Sequence, residues 1–244
     1  MSIALGAIAV GFSIGLLGIG GVFLIPLLVA ANYPLDTAIG TALCAFIVTG
    51  VVSTIIFARR GVIDWHGAAW TSIGSVVGGP IGARVEAWLP QRAVAGTFAA
   101  MLIAVGILAL VRREPADGSA RVGRISPAIL VPSGLVVGIG SGLTGIGGPA
   151  LLVPLLLLLR VPAGAAVALS QPNQIAASAG GALGHVLFGH VDGTLAVTLC
   201  ITAGAGAALG AAVHGRVPAK TLRRLVGAAC IVLGSWLVRG WLAA

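Results

Sequence analysis

Two glycine clusters and one run of amides are the residues best suited to act on a ligand. Thr144-Gly145-Ile146-Gly147-Gly148-Pro149, with Pro154 beyond it, lies inside an apolar run over 129–159. Gly18-Ile19-Gly20-Gly21, with Pro26 beyond it, lies inside a similar run over 3–31. Glycine lets another group approach the backbone. A helix that breaks in hydrocarbon survives only where its freed N–H and C=O groups face protein or a cavity. If each segment restarts as a helix after its break, free N–H groups and the positive end of the helix dipole attract an anion. Pro149 suits the first turn of such a restart, where its missing N–H costs nothing. Gly20, Gly21, Gly147 and Gly148 are therefore candidate backbone donors, with the Thr144 hydroxyl beside them. The plainer alternative is that these glycines only permit close packing or a kink.

The amides are in Ser170-Gln171-Pro172-Asn173-Gln174, deep in an otherwise apolar stretch. Polar amides in lipid are costly unless paired, and the proline frees a carbonyl of its own helix. Ser170, Gln171, Asn173 and Gln174 are uncharged groups suited to holding a small oxyanion without trapping it. A clamp between helices is the competing role. The matching region of the first half carries Thr41, with Thr49, Ser53 and Thr54 further on. Asp64 and Asp192 stand in repeated Gly-x-x-Asp turns and read first as helix N-caps, with gating or protonation as the second role. His185, just before the second turn, could titrate near neutrality.

Other chemistry finds no support. Ser170 has no visible His/Asp partner, and the glycine clusters do not follow strands, so neither an enzyme nor a nucleotide-binding loop is expected. Cys44, Cys200 and Cys230 lie in apolar runs with no CxxC or Cys/His cluster, so no metal site or cofactor is expected.

The elements that must position these residues follow from composition. Of 244 residues, 58 % are hydrophobic and 8 % charged, with a mean hydropathy of +1.11. The span over 35–58, whose one charged residue is Asp36 at its start, and the charge-free span over 94–111 are long enough to cross roughly 30 Å of hydrocarbon, so the chain reads as an integral membrane protein. The run over 3–31 lacks a basic flank and is too long for a signal-peptide core, and is expected to stay in the mature protein. The formal net charge of +8 comes from 14 basic residues scattered through short loops without aromatic interleaving, so nucleic acid is not an expected partner.

Further helices are expected at about 66–85, 93–111, 162–187, 192–213 and 219–239, with tryptophans 65, 70, 88, 236 and 241 as interfacial anchors. A polar linker over 112–126 separates a first transmembrane repeat, 1–111, from a second, 127–244. Shifting by 128 superposes Pro26 on Pro154, Gly61 on Gly189, Asp64 on Asp192, Gly78 on Gly206, Gly82 on Gly210 and Pro90 on Pro218. The glycine pairs need 127, so one residue is missing between glycines and proline in the first copy or added in the second.

Two such broken segments at matching positions point to the binding site of a secondary transporter. If all eight apolar segments crossed, the basic residues would divide seven and seven. If each broken segment is instead re-entrant, eleven fall on one side and Arg84, Arg92 and Arg239 on the other, which the positive-inside rule favours. The expected fold is thus an all-α polytopic membrane protein of two inverted repeats. Each is a Gly-broken re-entrant helical pair followed by three transmembrane helices, with the linker cytoplasmic and both termini outside.

These residues resemble the sulfite exporter TauE/SafE family over nearly the whole chain. The resemblance is carried by the two broken segments with Pro26 and Pro154, by Ala38-Ile39-Gly40-Thr41-Ala42-Leu43, and by Gly61-Val62-Ile63-Asp64-Trp65. His185 with Gly189-His190-Val191-Asp192, and the stretch from Gly206 through Pro218 to Leu225, continue it. It implies movement of sulfite, thiosulfate, sulfoacetate or related organosulfonates across the bacterial inner (cytoplasmic) membrane. The family's positions fall here on Gly20, Gly21, Gly147, Gly148, Pro149, Thr41 and His185. Two departures stand out: Val22 where a third glycine is common, and Ala168-Leu169-Ser170-Gln171 where Gly-Thr-Ser-Leu is more usual. The resulting expectation is export of a small sulfur-containing anion by alternating access. An anion channel of the same fold and a non-transporting membrane scaffold are the rivals. Gly-rich surfaces would allow a homodimer.

Overall fold

The computed structural model describes residues 3–86, 125–187 and 191–243, with positions 99, 103, 106, 107, 110 and 111 between the first two stretches. The body of the 93–111 span, most of the linker over 112–126, Gly189, His190 and Trp88 lie outside the described residues. Among those described, all regular structure is helical. The first half holds α1 (Ile3–Leu17), α2 (Gly21–Ala30), α3 (Leu35–Arg59) and α4 (Trp65–Glu86). The second holds α5 (Pro127–Thr144), α6 (Gly148–Leu158), α7 (Ala163–Leu187), α8 (Gly193–His214) and α9 (Ala219–Ala243).

Helix boundaries fall within a residue or two of the sequence expectation, except that α9 runs four residues beyond the expected 239, to Ala243. Both broken segments break where expected, at Gly18–Gly20 and Gly145–Gly147 in three-residue gaps. Gly18 (φ 71°) and Gly145 (φ 64°) close α1 and α5 in the left-handed region, each N–H donating at 2.8 Å to the carbonyl four residues back. A Cβ is disfavoured there. The repeat persists in backbone detail. Among the described residues Asn32 (φ 67°) and Arg160 (φ 64°), 128 apart, are the positive-φ non-glycine residues, and each follows a return helix. That helix has 10 residues in the first copy and 11 in the second, so the one-residue difference lies inside it.

Among the described residues the two largest interfaces exchange partners between halves: α1 packs on α8, and α4 on α5. Both are built from glycines at four-residue spacing, which let helix backbones touch. A methyl added to Gly11 or Gly15 would strike the carbonyl of Ala203 or Ala207, and one on Gly206 or Gly210 that of Ile8 or Phe12. Across α4 and α5, Gly74, Gly78 and Gly82 abut the carbonyls of Val131, Leu135 and Ile139. Gly134, Gly138 and Gly142 abut those of Thr71, Ser75 and Gly79. Contacts advance together along each pair, so α1 runs parallel to α8 and α5 parallel to α4. Among the described positions of the 93–111 stretch, Gly106 faces Gly227 of α9, and Ala99 faces Gly234.

Register fixes the remaining directions. Thr41 meets Asp192, Cys44 meets Cys200 and Val48 meets Gly204, so α3 is parallel to α8. Ser75 meets Asn173, Gly79 meets Gly180 and Ala83 meets Gly184, so α4 is parallel to α7. By contrast Leu43 meets Gly181, Phe46 meets Gln174 and Gly50 meets Gln171, so α3 and α7 are antiparallel. Within the first pair, Gly6 meets Leu27 while Gly20 meets Ile14, so α2 retreats along α1.

Outward faces are apolar, with Ile73, Val77, Ile81, Val197, Ile201 and Leu209 each about half exposed or more, as lipid contact requires. Three described helices are long and apolar enough to cross a membrane by length and composition: 36–59, 127–144 and 193–214. Replacing Gly206 with Val should lower the unfolding temperature in detergent, through an overpacking cost of about 1–3 kcal/mol. Gly193→Ala, where a methyl meets nothing within 4 Å, should leave it unchanged.

Candidate functional site

The two breaks meet. A methyl on Gly21 would strike the carbonyl of Ile146, and one on Gly18 would lie 2.8 Å from Val153 and 3.4 Å from the Ser170 hydroxyl. Between them is a small cavity lined by Ile14, Gly18, Gly21, Phe46, Ile146, Gly147, Pro149, Ala150 and Gln174. Its volume of about 10 Å³ is close to the least that holds one water. Phe46 and Gln174 enter it from the middles of α3 and α7. They are 128 apart, so equivalent positions of the two halves face each other, one an aromatic ring and the other an amide.

Three helix starts carry side-chain caps, whereas α3, which follows Pro34, and the two helices that start at the breaks carry none. Asp64 accepts from the N–H groups of His66 (3.1 Å) and Gly67 (3.2 Å) at the start of α4. Asp192 accepts from Leu195 N–H (2.9 Å) at the start of α8, and Ser126 from Ala128 N–H (3.3 Å) at the start of α5. The helices that start at the breaks have glycine N-caps, Gly20 and Gly147, with no side-chain cap. The first turn of a helix leaves N–H groups without intrahelical partners, so α2 and α6 bring uncapped ends to the cavity region. Gly147 adopts φ 89°, ψ 152°, which favours glycine.

The amide run lies beside these ends, with Ser170, Gln171, Asn173 and Gln174 all buried. Gln174 Nε2 donates to the Phe46 carbonyl (2.9 Å) and to Thr49 Oγ1 (2.6 Å), leaving its Oε1 without a partner. Ser75 Oγ lies 2.8 Å from the Gly134 carbonyl and 2.7 Å from Asn173 Oδ1. Its one proton serves one of them at a time. Asn173 Nδ2 has no partner and would sit 2.9 Å from a methyl on Gly148, against the start of α6. Gln171 Nε2 turns back on its own helix, to the Val167 carbonyl (3.2 Å) and Ser170 Oγ (3.4 Å), with Oε1 unpaired. Ser170 Oγ donates to Val167 (2.8 Å). Thr144 Oγ1 donates to Gly140 (2.6 Å) and lies 3.4 Å from the Ile146 N–H.

Other candidates lie elsewhere. The Thr41 hydroxyl accepts from the Asp192 N–H (3.1 Å), bridging α3 to the start of α8. At the equivalent position Leu169 packs beside Gly67 at the start of α4, so the hydroxyl absent there bears on a helix start. His185 is buried near the end of α7. Among the described residues no cluster of His, Cys, Asp or Glu could hold a metal ion.

Phe46, which walls the cavity, gave no polar signal in the sequence. The sequence reading also missed a latch between halves: Arg60 donates to the carbonyls of Ala211 (2.8 Å) and Ala212 (2.9 Å) at the end of α8. Beside it His214 Nδ1 lies 2.8 Å from the Leu16 carbonyl. A basic residue at a helix C-terminus is the only signal for the first, and a carbonyl acceptor gives none for the second.

Asp192→Ala and Thr41→Val should each cost about 1 kcal/mol in detergent unfolding. Asp192→Asn, which still caps, should retain most stability and activity. Loss of transport in Asp192→Asn at unchanged stability would assign the carboxylate to protonation instead.

Residues 3–237 match the family described as sulfite exporter TauE/SafE. A probable membrane transporter protein of Bacillus subtilis (strain 168), YunE, is 28 % identical over 220 residues, covering 83 % of this chain and 81 % of that protein. One of Methanocaldococcus jannaschii is 26 % identical over 252 residues, covering 95 % and 94 %. A shorter match, 38 % identical over 78 residues and covering 31 % and 30 %, links the chain to a probable membrane transporter protein of Xylella fastidiosa (strain 9a5c). No solved structure matches. With glycine-broken segments, apolar outward faces and a match along almost its whole length, the chain belongs to the sulfite exporter TauE/SafE family of membrane transporters.

Proposed function

We propose that the protein is a secondary transporter that exports sulfite or a small organosulfonate across the bacterial cytoplasmic membrane, by alternating access around the cavity between the breaks. One observation carries this reading: two helix N-termini without side-chain caps converge on a single buried cavity, beside amides with unpaired polar atoms. The donors would be the backbone at Gly20, Gly21, Gly147 and Gly148, with Thr144, Asn173 and Gln174 orienting the ligand oxygens. Pro149 starts the return helix, and Ser170 and Gln171 extend the polar lining. Thr41, Asp64 and Asp192 hold helix starts around it.

Helix directions support the inverted, re-entrant arrangement. Equivalent helices α3 and α7 are antiparallel, as halves of opposite orientation require. Because α1 and α3 both run parallel to α8, the chain must return between them. The link from Ala30 to Leu35 reaches at most about 18 Å, far less than the roughly 37 Å that α1 and α2 would span end to end. So α2 brings it back, and the same holds for α6. Arg59, Arg60, Asp64, Arg160, Arg216 and Lys220 then flank one membrane face, with Arg84, Asp36, Glu86 and Asp192 at the other. The first face is cytoplasmic by the positive-inside rule, and so is the linker over 112–126 that joins the repeats 1–111 and 127–244.

The cavity is too small for a sulfonate as it stands, so the breaks must separate to load it. That favours a carrier over an open channel. In detergent, sulfite, thiosulfate, sulfoacetate, taurine, sulfate, phosphate, acetate and chloride should divide into those that raise the unfolding temperature and those that do not. Sulfite or one sulfonate should stabilise, and Asn173→Ala should abolish the effect. No stabilisation by any of them well above millimolar concentration would reject the reading.

A further inference from the structure

We infer that the ligand this cavity accepts carries a hydrogen-bond donor of its own beside its anionic oxygens, as a protonated oxyanion or a hydroxyalkylsulfonate does. The inference rests on the anion-transport reading and narrows its substrate class.

Gln174 is the reason. Its side chain is 1 % exposed and lines the cavity. The orientation of its amide is fixed, because the Phe46 carbonyl 2.9 Å from the nitrogen can only accept. Thr49 Oγ1 lies 2.6 Å from the same nitrogen and 3.1 Å from the same carbonyl. It can give its proton to that carbonyl and accept from the amide. The nitrogen is thereby used, and the oxygen is left buried without a partner. A flip would set two carbonyl oxygens face to face.

One turn earlier on α7 Gln171 repeats the pattern, its nitrogen turned to its own helix and its oxygen unpaired. The lining thus offers donors from the uncapped helix ends and an acceptor that cannot be converted into a donor. A bare oxyanion would place lone pairs against Gln174 Oε1. An O–H or N–H on the ligand would satisfy it, and a buried acceptor left unsatisfied costs binding.

The test compares hydroxymethanesulfonate with ethanesulfonate, which has the same charge and nearly the same size but a methyl group in place of the hydroxyl. Binding to the purified full-length protein is read by calorimetry. Wild type should bind hydroxymethanesulfonate at least about tenfold more tightly, and Gln174→Leu should bring the ratio close to one. Sulfite should bind more tightly as pH falls through its second ionisation, which separates a protonated oxyanion from a hydroxyalkyl group as the source of the donor. Equal affinity for the two sulfonates, or a ratio unchanged in Gln174→Leu, overturns the inference and leaves the transport reading in place. Binding of no anion overturns both. If Gln174→Leu does not fold, the wild-type ratio decides.

Discussion

Direct backbone contact between helices is the constraint on which the rest of this structure depends. Lipid supplies no hydrophobic drive for one apolar helix to leave it for another, so helices associate where packing is close. In each half the first helix lies against the fourth helix of the other half, and glycines remove every Cβ that would hold the carbonyls apart. Gly11 and Gly15 in α1 correspond to Gly138 and Gly142 in α5 at a shift of 127. Both interfaces were therefore set by one repeat unit. They lock the halves together and draw the ends of α1 and α5, and hence both breaks, to one place.

Capping then distinguishes helix starts from one another. At the starts of α4, α5 and α8, Asp64, Ser126 and Asp192 accept from first-turn N–H groups, while α3 starts after Pro34 without a side-chain cap. Where helices start at the breaks, glycine stands in the cap position and the side chain that would compete with a ligand is absent. The halves differ at their meeting point. Phe46 and Gln174 occupy equivalent positions, and a hydrogen bond joins the amide of one to the carbonyl of the other. The cavity where the halves meet thereby acquires a polar and an apolar wall.

Much of this was legible in the sequence because its causes are local. Gly18 and Gly145 end helices through a dihedral that glycine favours, and a cluster of glycine before proline signals that directly. Asp64 and Asp192 cap the helices that follow them within three residues. What stayed hidden depends on contacts between distant segments. Thr41 reads as a ligand hydroxyl in the sequence, and no local pattern announces that it also accepts from the Asp192 backbone 151 residues away. The amide run was legible as polar and buried. Which atoms are tied and which are left over depends on the Phe46 carbonyl and on Ser75, neither of which carries a sequence signal.

The claim that organises this account is that each broken segment returns to the face it entered. Single cysteines at Ala128 and Arg160, which bracket the second break, test it most directly. They would be placed in a protein whose three native cysteines, Cys44, Cys200 and Cys230, have been replaced. Labelling of intact cells with an impermeant maleimide should leave both positions unmodified until the membrane is opened, while a cysteine at Thr194 reacts from outside. Reaction of one of the bracketing pair from outside, with the other protected, would mean that the segment crosses the membrane, and would contradict the inverted, re-entrant arrangement.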